Sequence, residues 1–130
     1  MAAPITGIYA GLLALIGFAL MQRVGQERLR TNVSLYDGGD AQLGTAIRAH
    51  ANFTEHVPLA VLLLLVLELN GTPGAWLHAM GAAVVVARVV HPFGLRPDVM
   101  KLPARFVGAV GTALATVAAG VGAIWQGLAG

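Results

Sequence analysis

The sequence has no cysteine and few charged residues. The absence of cysteine from its 130 positions excludes disulfide bonds and any catalytic thiol supplied by the protein itself. Charged residues make up only 11% of the chain, hydrophobic residues make up 57%, and the mean hydropathy is +0.75. Because about a quarter of the residues in a typical soluble domain are charged, this composition excludes an ordinary soluble domain and indicates a membrane protein.

The net charge of the chain is small and its basic residues are nearly all arginine. A formal charge of +2 is too low to indicate a nucleic-acid partner, and none is predicted. Seven of the eight basic residues are arginine, whose planar guanidinium suits the recognition of carboxylates or phosphates. The same bias fits a genome rich in arginine codons equally well.

Four long apolar runs predict one all-helical domain, residues 1–130, that crosses the membrane four times. A spanning helix needs about 20 residues, so a chain of this length has room for four spans and short connections. The predicted spans are residues 4–24, 43–69, 75–93 and 103–126. The first run has no basic segment before it and no small-residue cleavage site after it, so we expect a retained helix rather than a signal peptide. The predicted fold class is an all-α integral membrane four-helix bundle.

The basic residues of the connections predict the orientation. They form two groups, Arg23, Arg28 and Arg30 in the first connection and Arg96 and Lys101 in the third. Since cytoplasmic loops are enriched in basic residues, these two connections are expected in the cytoplasm and both termini outside. Trp76 and Trp125 would then lie at the outer interface, where aromatic side chains are common.

Polar residues interrupt the second span near its cytoplasmic end. Arg48, Asn52 and Glu55 are four and three residues apart, so they share one face of the helix. An ionised side chain at mid-bilayer costs at least about 2.5–3.5 kcal/mol, so such residues usually mark a site or a pathway. We therefore interpret the three residues as part of a functional site.

Two further spans bring cations to the same depth. At 1.5 Å per residue, Arg88 and His91 late in span three lie level with Asn52 and Glu55, and Arg105 opens span four at the same edge. An ion pair between Arg88 and Glu55 is a natural hypothesis. In the alternative structural interpretation, the arginines extend to lipid headgroups or pair with Glu55 only to hold the bundle together.

The surplus of cations at this level points to an anionic ligand. Arginine binds carboxylates through two parallel hydrogen bonds, and Glu55 would suit a cationic group such as an amine. A small zwitterionic peptide has both. The four histidines include no pair spaced as metal ligands on one helical face, and no metal site is predicted.

The motif on span two resembles that of a known family. Arg48, Asn52 and Glu55, followed by Pro58, reproduce an Arg-x-x-x-Asn-x-x-Glu motif with its trailing proline. In this the chain resembles the membrane-associated proteins in eicosanoid and glutathione metabolism (MAPEG), in particular their short bacterial branch. Weaker matches are Tyr36-Asp37-Gly38-Gly39, Arg28-Leu29-Arg30, Arg88-Val89-Val90-His91 and Pro103-Ala104-Arg105.

The resemblance implies a homotrimer that binds glutathione, as a thiol co-substrate, between subunits near the cytoplasmic face. It assigns glutathione binding to Arg28, Arg30, Arg48, Asn52, Glu55, Arg88 and His91. Of these, Arg28 or Arg30 would reach the peptide from a neighbouring subunit, and His91 would stand in the pocket wall. Arg105 matches the arginine that stabilises the glutathione thiolate, which makes it the expected catalytic residue.

The predicted function is that of a glutathione-dependent membrane enzyme, and the predicted location is the bacterial inner membrane. It would activate the thiolate for conjugation to lipophilic electrophiles or for reduction of lipid hydroperoxides that arrive from the membrane lipid. Two tyrosine positions of the family are Leu95 and Ala109 in this chain. Two alternatives stay open, a proton-coupled transporter that uses Glu55 as its titrating carboxylate and a catalytically inactive membrane scaffold.

Overall fold

A computed structural model describes residues 2–99 and 102–129, and these residues form helices and connections without a strand. The helices are α1 (Pro4–Thr31), α2 (Ala41–Leu69), α3 (Gly74–Val90), which a short 3₁₀ helix (His91–Gly94) continues, and α4 (Pro103–Ala129). Four helical segments are long and apolar enough to cross a membrane, the third of them being α3 together with the 3₁₀ helix. The predicted all-α membrane bundle is confirmed. Lys101 lies outside the described residues.

Helix α1 continues beyond its uncharged part. The spanning run was predicted to end at residue 24, but the helix ends at Thr31. Arg23 lies within the helix, and Arg28 and Arg30 lie in its last turn, so the assignment of these three residues to the connection is wrong. The polar residues after the apolar run are mostly good helix formers, and basic side chains are favoured near a helix C-terminus. Asn32 then ends the helix in the left-handed conformation, with φ 56°.

Both arginines at the end of α1 hold the connection to α2. Arg28 Nη1 donates to the carbonyl oxygens of Val33 and Tyr36, at 3.1 and 3.0 Å. Arg30 forms ion pairs of 2.6 Å with Glu27 and with Asp40, the N-cap residue of α2. The first connection is therefore tied to the ends of both helices that it joins.

Asp40 makes the stability of this connection dependent on pH. The hydrogen bond from Arg30, followed by that from the Leu43 amide, lowers the pKa of Asp40 below its ordinary value. A carboxylate whose pKa is lower in the folded state stabilises the protein above its unfolded pKa, and that stability is lost as the pH falls through the folded pKa. Asp40→Asn keeps a capping oxygen but loses the charge, whereas Asp40→Ala loses both.

At neutral pH we expect a small drop in melting temperature for Asp40→Asn and a larger drop for Asp40→Ala, measured in detergent. Below the ordinary aspartate range, the difference between the unaltered protein and Asp40→Asn should shrink. An equal difference at neutral and acid pH would show that the ion pair with Arg30 does not stabilise the fold.

A carboxylate near the end of α2 completes the start of α1. Ala3, the N-cap residue of α1, has no capping side chain. The amides of Ile5 and Thr6 donate instead to Glu68 Oε1 and Oε2, at 2.9 and 2.7 Å. Since the first amides of a helix have no intrahelical partner, Glu68 satisfies two of them from a different helix.

Small residues allow α4 to pack closely inside the bundle. Helices α1 and α4 both pack against the pair formed by α2 and α3. The buried residues of α4 are Gly108, Thr112, Ala115 and Ala119, on one face of the helix. Small side chains at such spacing let the backbones of two membrane helices approach each other. These small residues of α4 therefore pack within the subunit.

The outer faces of the helices carry large apolar side chains. Among those exposed are Leu15, Phe18, Leu62, Val117 and Ile124. A soluble monomer rarely exposes continuous apolar surface of this kind, whereas a bilayer requires it. The distribution of exposed side chains thus agrees with the composition.

Candidate functional site

The motif on α2 forms an ion pair along the helix. Arg48 Nη1 and Nη2 donate to Glu55 Oε1 and Oε2, each at 3.3 Å, so the contact is bidentate. Residues seven apart lie two turns from each other on nearly the same face, and Asn52 lies between them. The three residues thus share one side of α2, as the spacing predicts.

Arg88 is buried where α2, α3 and α4 meet. Its side chain is among the largest that are fully buried, with the residue only 2% exposed. Nη1 donates to Asn52 Oδ1 at 2.8 Å and Nη2 donates to the Gly108 carbonyl oxygen at 2.6 Å, while Nε is buried without a partner. A guanidinium held only by neutral oxygens keeps its full positive charge next to the motif.

The hypothesised Arg88–Glu55 ion pair is wrong. Glu55 is half exposed and pairs with Arg48, whereas Arg88 is directed towards Asn52. A depth count compares only the heights of residues along their helices. Which side chains meet also depends on their direction around each helix. In this bundle the direction of Arg88 brings it to Asn52 rather than to Glu55.

A cavity of about 290 Å³ lies beside the motif, and we call it the cationic cavity. Its lining is Thr45, Arg48, Asn52, His91, Leu95, Arg96, Pro97, Arg105 and Ala109. Three of these residues are arginines, and none of the described residues that line the cavity is acidic. Residues from α2, α4 and the segment between α3 and α4 therefore combine into a concave site suited to an anion.

A second cavity of about 400 Å³ adjoins it, and we call it the apolar cavity. Its lining is Asn52, Glu55, His56, Leu59, Arg88, Ala109, Thr112, Ala113, Thr116 and Val117. Most of the lining surface is apolar, with Glu55 and Arg88 as the ionisable exceptions besides His56. Asn52 and Ala109 line both cavities, so these two residues mark their boundary.

The residues predicted for the site divide into two groups. Those that line one or both cavities are Arg48, Asn52, Glu55, Arg88, His91 and Arg105. Arg28 and Arg30 lie elsewhere in the subunit and bind the first connection. A role for them in the cavities would have to be exercised in a neighbouring copy of the chain.

The structure adds Arg96 and Ala109 to the residues of interest. Arg96 was predicted only as a loop charge, yet it lines the cationic cavity together with Arg105. Its place after span three and shortly before Arg105, on the same side of the membrane, is the signal that points to this cavity. Leu95 and Ala109, the two family tyrosine positions, line the cationic cavity as well.

A groove larger than both of these cavities lies elsewhere, between α3 and α4. It has a volume of about 780 Å³ and is lined mainly by apolar and small residues, with Trp76 and Trp125 among them. No charged residue lines it within the described ranges.

Comparison with known proteins agrees with the motif. The sequence profile of the MAPEG family matches residues 6–125, which is nearly the whole chain. This chain belongs to the MAPEG family. The match includes all the residues that line the cationic and apolar cavities, so both belong to the part of the chain that MAPEG proteins share.

Curated relatives of this MAPEG chain are membrane proteins. It is 33% identical over 90 residues to the inner membrane protein YecN of Escherichia coli strain K12, and the aligned region covers 69% of each chain. The protein of the same name from Escherichia coli O6:H1 matches equally well. No solved structure matches the chain. Together with its four apolar helices, these relatives identify an integral inner membrane protein.

Proposed function

We propose that this MAPEG protein binds glutathione in the cationic cavity and holds it as the thiolate next to Arg105. The observation that carries the proposal is the cavity lining, in which Arg48, Arg96 and Arg105 surround a space without an acidic residue among those described. Glutathione has two carboxylates that suit guanidinium groups and one amine that suits Glu55, which lines the neighbouring apolar cavity and pairs with Arg48 of the cationic cavity.

The chemistry follows from the charge of the cavity. A free thiol has a pKa of about 8.5, so only a few per cent is ionised at neutral pH, and nearby cations raise the thiolate fraction. In conjugation, the thiolate sulfur attacks an electrophilic carbon, forms a carbon–sulfur bond and expels the leaving group with its bonding electrons. Because the chain has no cysteine, the attacking sulfur has to come from the co-substrate.

Reduction of a lipid hydroperoxide would start from the same thiolate. Its sulfur attacks the terminal peroxide oxygen, the O–O bond breaks, and the lipid alkoxide takes up a proton and leaves as an alcohol. The resulting glutathione sulfenic acid then reacts with a second glutathione to give the disulfide and water. Two glutathione molecules are thus oxidised for each hydroperoxide reduced.

The proposal includes the assembly and the orientation of the protein. We propose a homotrimer in which the connection held by Arg28 and Arg30 lies near the cationic cavity of a neighbouring subunit. The first and third connections would face the cytoplasm and both termini the outside, in keeping with the basic residues near the end of α1 and with Arg96 in the third connection. Glutathione would then enter from the cytosol, while lipophilic acceptors would enter from the bilayer.

Titration of glutathione into the detergent-solubilised protein tests the proposal. We expect a saturable ultraviolet thiolate signal at neutral pH in the unaltered protein. Arg105→Ala should lower it towards the few per cent expected of free glutathione, because the adjacent cation is lost. Arg105→Lys keeps the positive charge without the guanidinium fork and should retain part of the signal.

Glu55→Gln, run beside these variants, separates this proposal from proton-coupled transport. Under the proposal, Glu55→Gln weakens glutathione binding. Neither the unaltered protein nor this variant then shows proton-coupled flux in liposomes. Flux in the unaltered protein that Glu55→Gln abolishes, with no glutathione binding in any variant, would replace the enzyme by a transporter. The absence of both binding and flux would favour a scaffold.

A further inference from the structure

Ala109 lies at the boundary between the two cavities. It is exposed on α4 and, like Asn52 on α2, lines both the cationic and the apolar cavity. Asn52 is held in place, because Arg88 donates to its oxygen. On the α4 side, only the methyl group of Ala109 extends from the backbone at this point. A larger side chain at position 109 would therefore fill space at the boundary that the two cavities share.

We infer that Ala109 determines specificity by letting an elongated apolar group on the glutathione sulfur pass from the cationic into the apolar cavity. The inference rests on the proposed function, which places glutathione in the cationic cavity. The apolar cavity beyond Ala109 contains Leu59, Ala113 and Val117, which suit a hydrocarbon chain. The preferred acceptors are thus linear lipophilic electrophiles, and their conjugates occupy both cavities at once.

The charges of the two cavities agree with such a ligand. Arg96 and Arg105 line only the cationic cavity, and the surface of the apolar cavity is mostly non-polar. An amphipathic conjugate has its carboxylates at one end and its alkyl group at the other. A larger side chain at position 109 would separate the two ends and leave the alkyl group in contact with solvent or lipid.

S-alkyl derivatives of glutathione test the inference in the detergent-solubilised full-length protein. S-methylglutathione and S-hexylglutathione differ only in chain length, and each buried methylene favours binding by roughly fourfold. We expect the unaltered protein to bind the hexyl derivative more than tenfold more tightly by isothermal titration calorimetry. In Ala109→Leu, the ratio of the two affinities should fall below about threefold, because the longer chain cannot enter the apolar cavity.

Ala82→Leu is the matched control, because Ala82 is exposed on α3 and lines neither cavity. It should keep the affinity ratio of the unaltered protein. Partition of the alkyl chain into detergent occurs with all variants and therefore does not affect the comparison between them. If Ala109→Leu does not fold, Ala109→Val should fold and give an intermediate ratio.

Failure of the two ideas can be told apart. If neither derivative binds the unaltered protein, the proposed function is wrong. If S-methylglutathione binds but chain length has no effect, or if Ala109→Leu keeps the preference for the hexyl derivative, the inference is wrong and the proposed function stands.

Discussion

Gly108→Ala is expected to destabilise the protein and to impair its binding site. A Cβ atom at position 108 would lie 2.5 Å from His91 Cβ, 2.7 Å from His91 Cα and 2.9 Å from the Ala87 carbonyl oxygen. Two of these three atoms belong to the backbone, so α3 and α4 would have to move apart. Added atoms in a well-packed interior typically cost about 1–3 kcal/mol of stability. Because His91 lines the cationic cavity, its displacement would also distort the binding site.

Gly120→Ala on the same helix is the control for this prediction. A Cβ atom at Gly120 would have no neighbour within 4 Å, and alanine favours a helix over glycine by up to about 1 kcal/mol. We therefore expect a lower melting temperature for Gly108→Ala and an equal or higher one for Gly120→Ala. If both variants melt like the unaltered protein, the close contact between α3 and α4 is not part of the fold.

Arg88→Met is expected to lower glutathione affinity more than it lowers stability. Arginine has only donors, so the oxygen of Asn52 has to face Arg88 and its NH₂ group is turned away, with its two donors available to a ligand. Without Arg88 the amide can turn either way. A hydrogen bond to a charged group contributes about 1.5–3 kcal/mol. Loss of the bond between the Asn52 NH₂ group and a ligand carboxylate should therefore lower the glutathione affinity by about tenfold to a hundredfold.

The fold itself should tolerate Arg88→Met. Removing the guanidinium ends the cost of desolvating its charge, and this gain offsets part of what is lost when Asn52 Oδ1 and the Gly108 carbonyl oxygen lose their donor. Calorimetric titration of glutathione and thermal unfolding, measured on the same samples, separate the two effects. Unchanged glutathione affinity in a folded Arg88→Met protein would show that Arg88 does not position the site.

Asn52→Asp tests the orientation of the amide from the other side. Aspartate keeps an acceptor for Arg88 but has no NH₂ group, and it adds a negative charge next to an anionic ligand. The variant should therefore bind glutathione weakly while its melting temperature stays the same or rises. Normal binding by Asn52→Asp would exclude the NH₂ group of Asn52 as a ligand contact.

The general architecture could be predicted because the membrane restricts what a chain can do. In lipid every backbone amide and carbonyl needs a partner within the protein, so an apolar run of sufficient length has to be helical. The turn at Asn70 and the opening of α4 at Pro103 are signalled by residues that favour such ends. The close packing of Gly108 against His91 could not be predicted from the sequence, because it depends on where two helices cross.

The site was predictable where its residues share one helix and less so where it joins several. Arg48 and Glu55 meet because helical spacing alone brings them together. Arg88 and Arg96 depend on the rotation of α3 and on the path of the chain after it, and neither leaves a periodic signal in the sequence. The role inferred for Ala109 depends on its small side chain, and a sequence motif consists of functional groups that alanine lacks.

Glu68 has a consequence for how the protein enters the membrane. The first amides of α1 receive their partner from the far end of α2, so α1 stays incomplete while the ribosome is still making the second helix. Unsatisfied amides are costly at the edge of the hydrocarbon region, and this cost is removed only once the second crossing is finished. We therefore expect α1 and α2 to mature as a hairpin, so that a nascent chain released before Glu68 would leave the first helix without its closing contact.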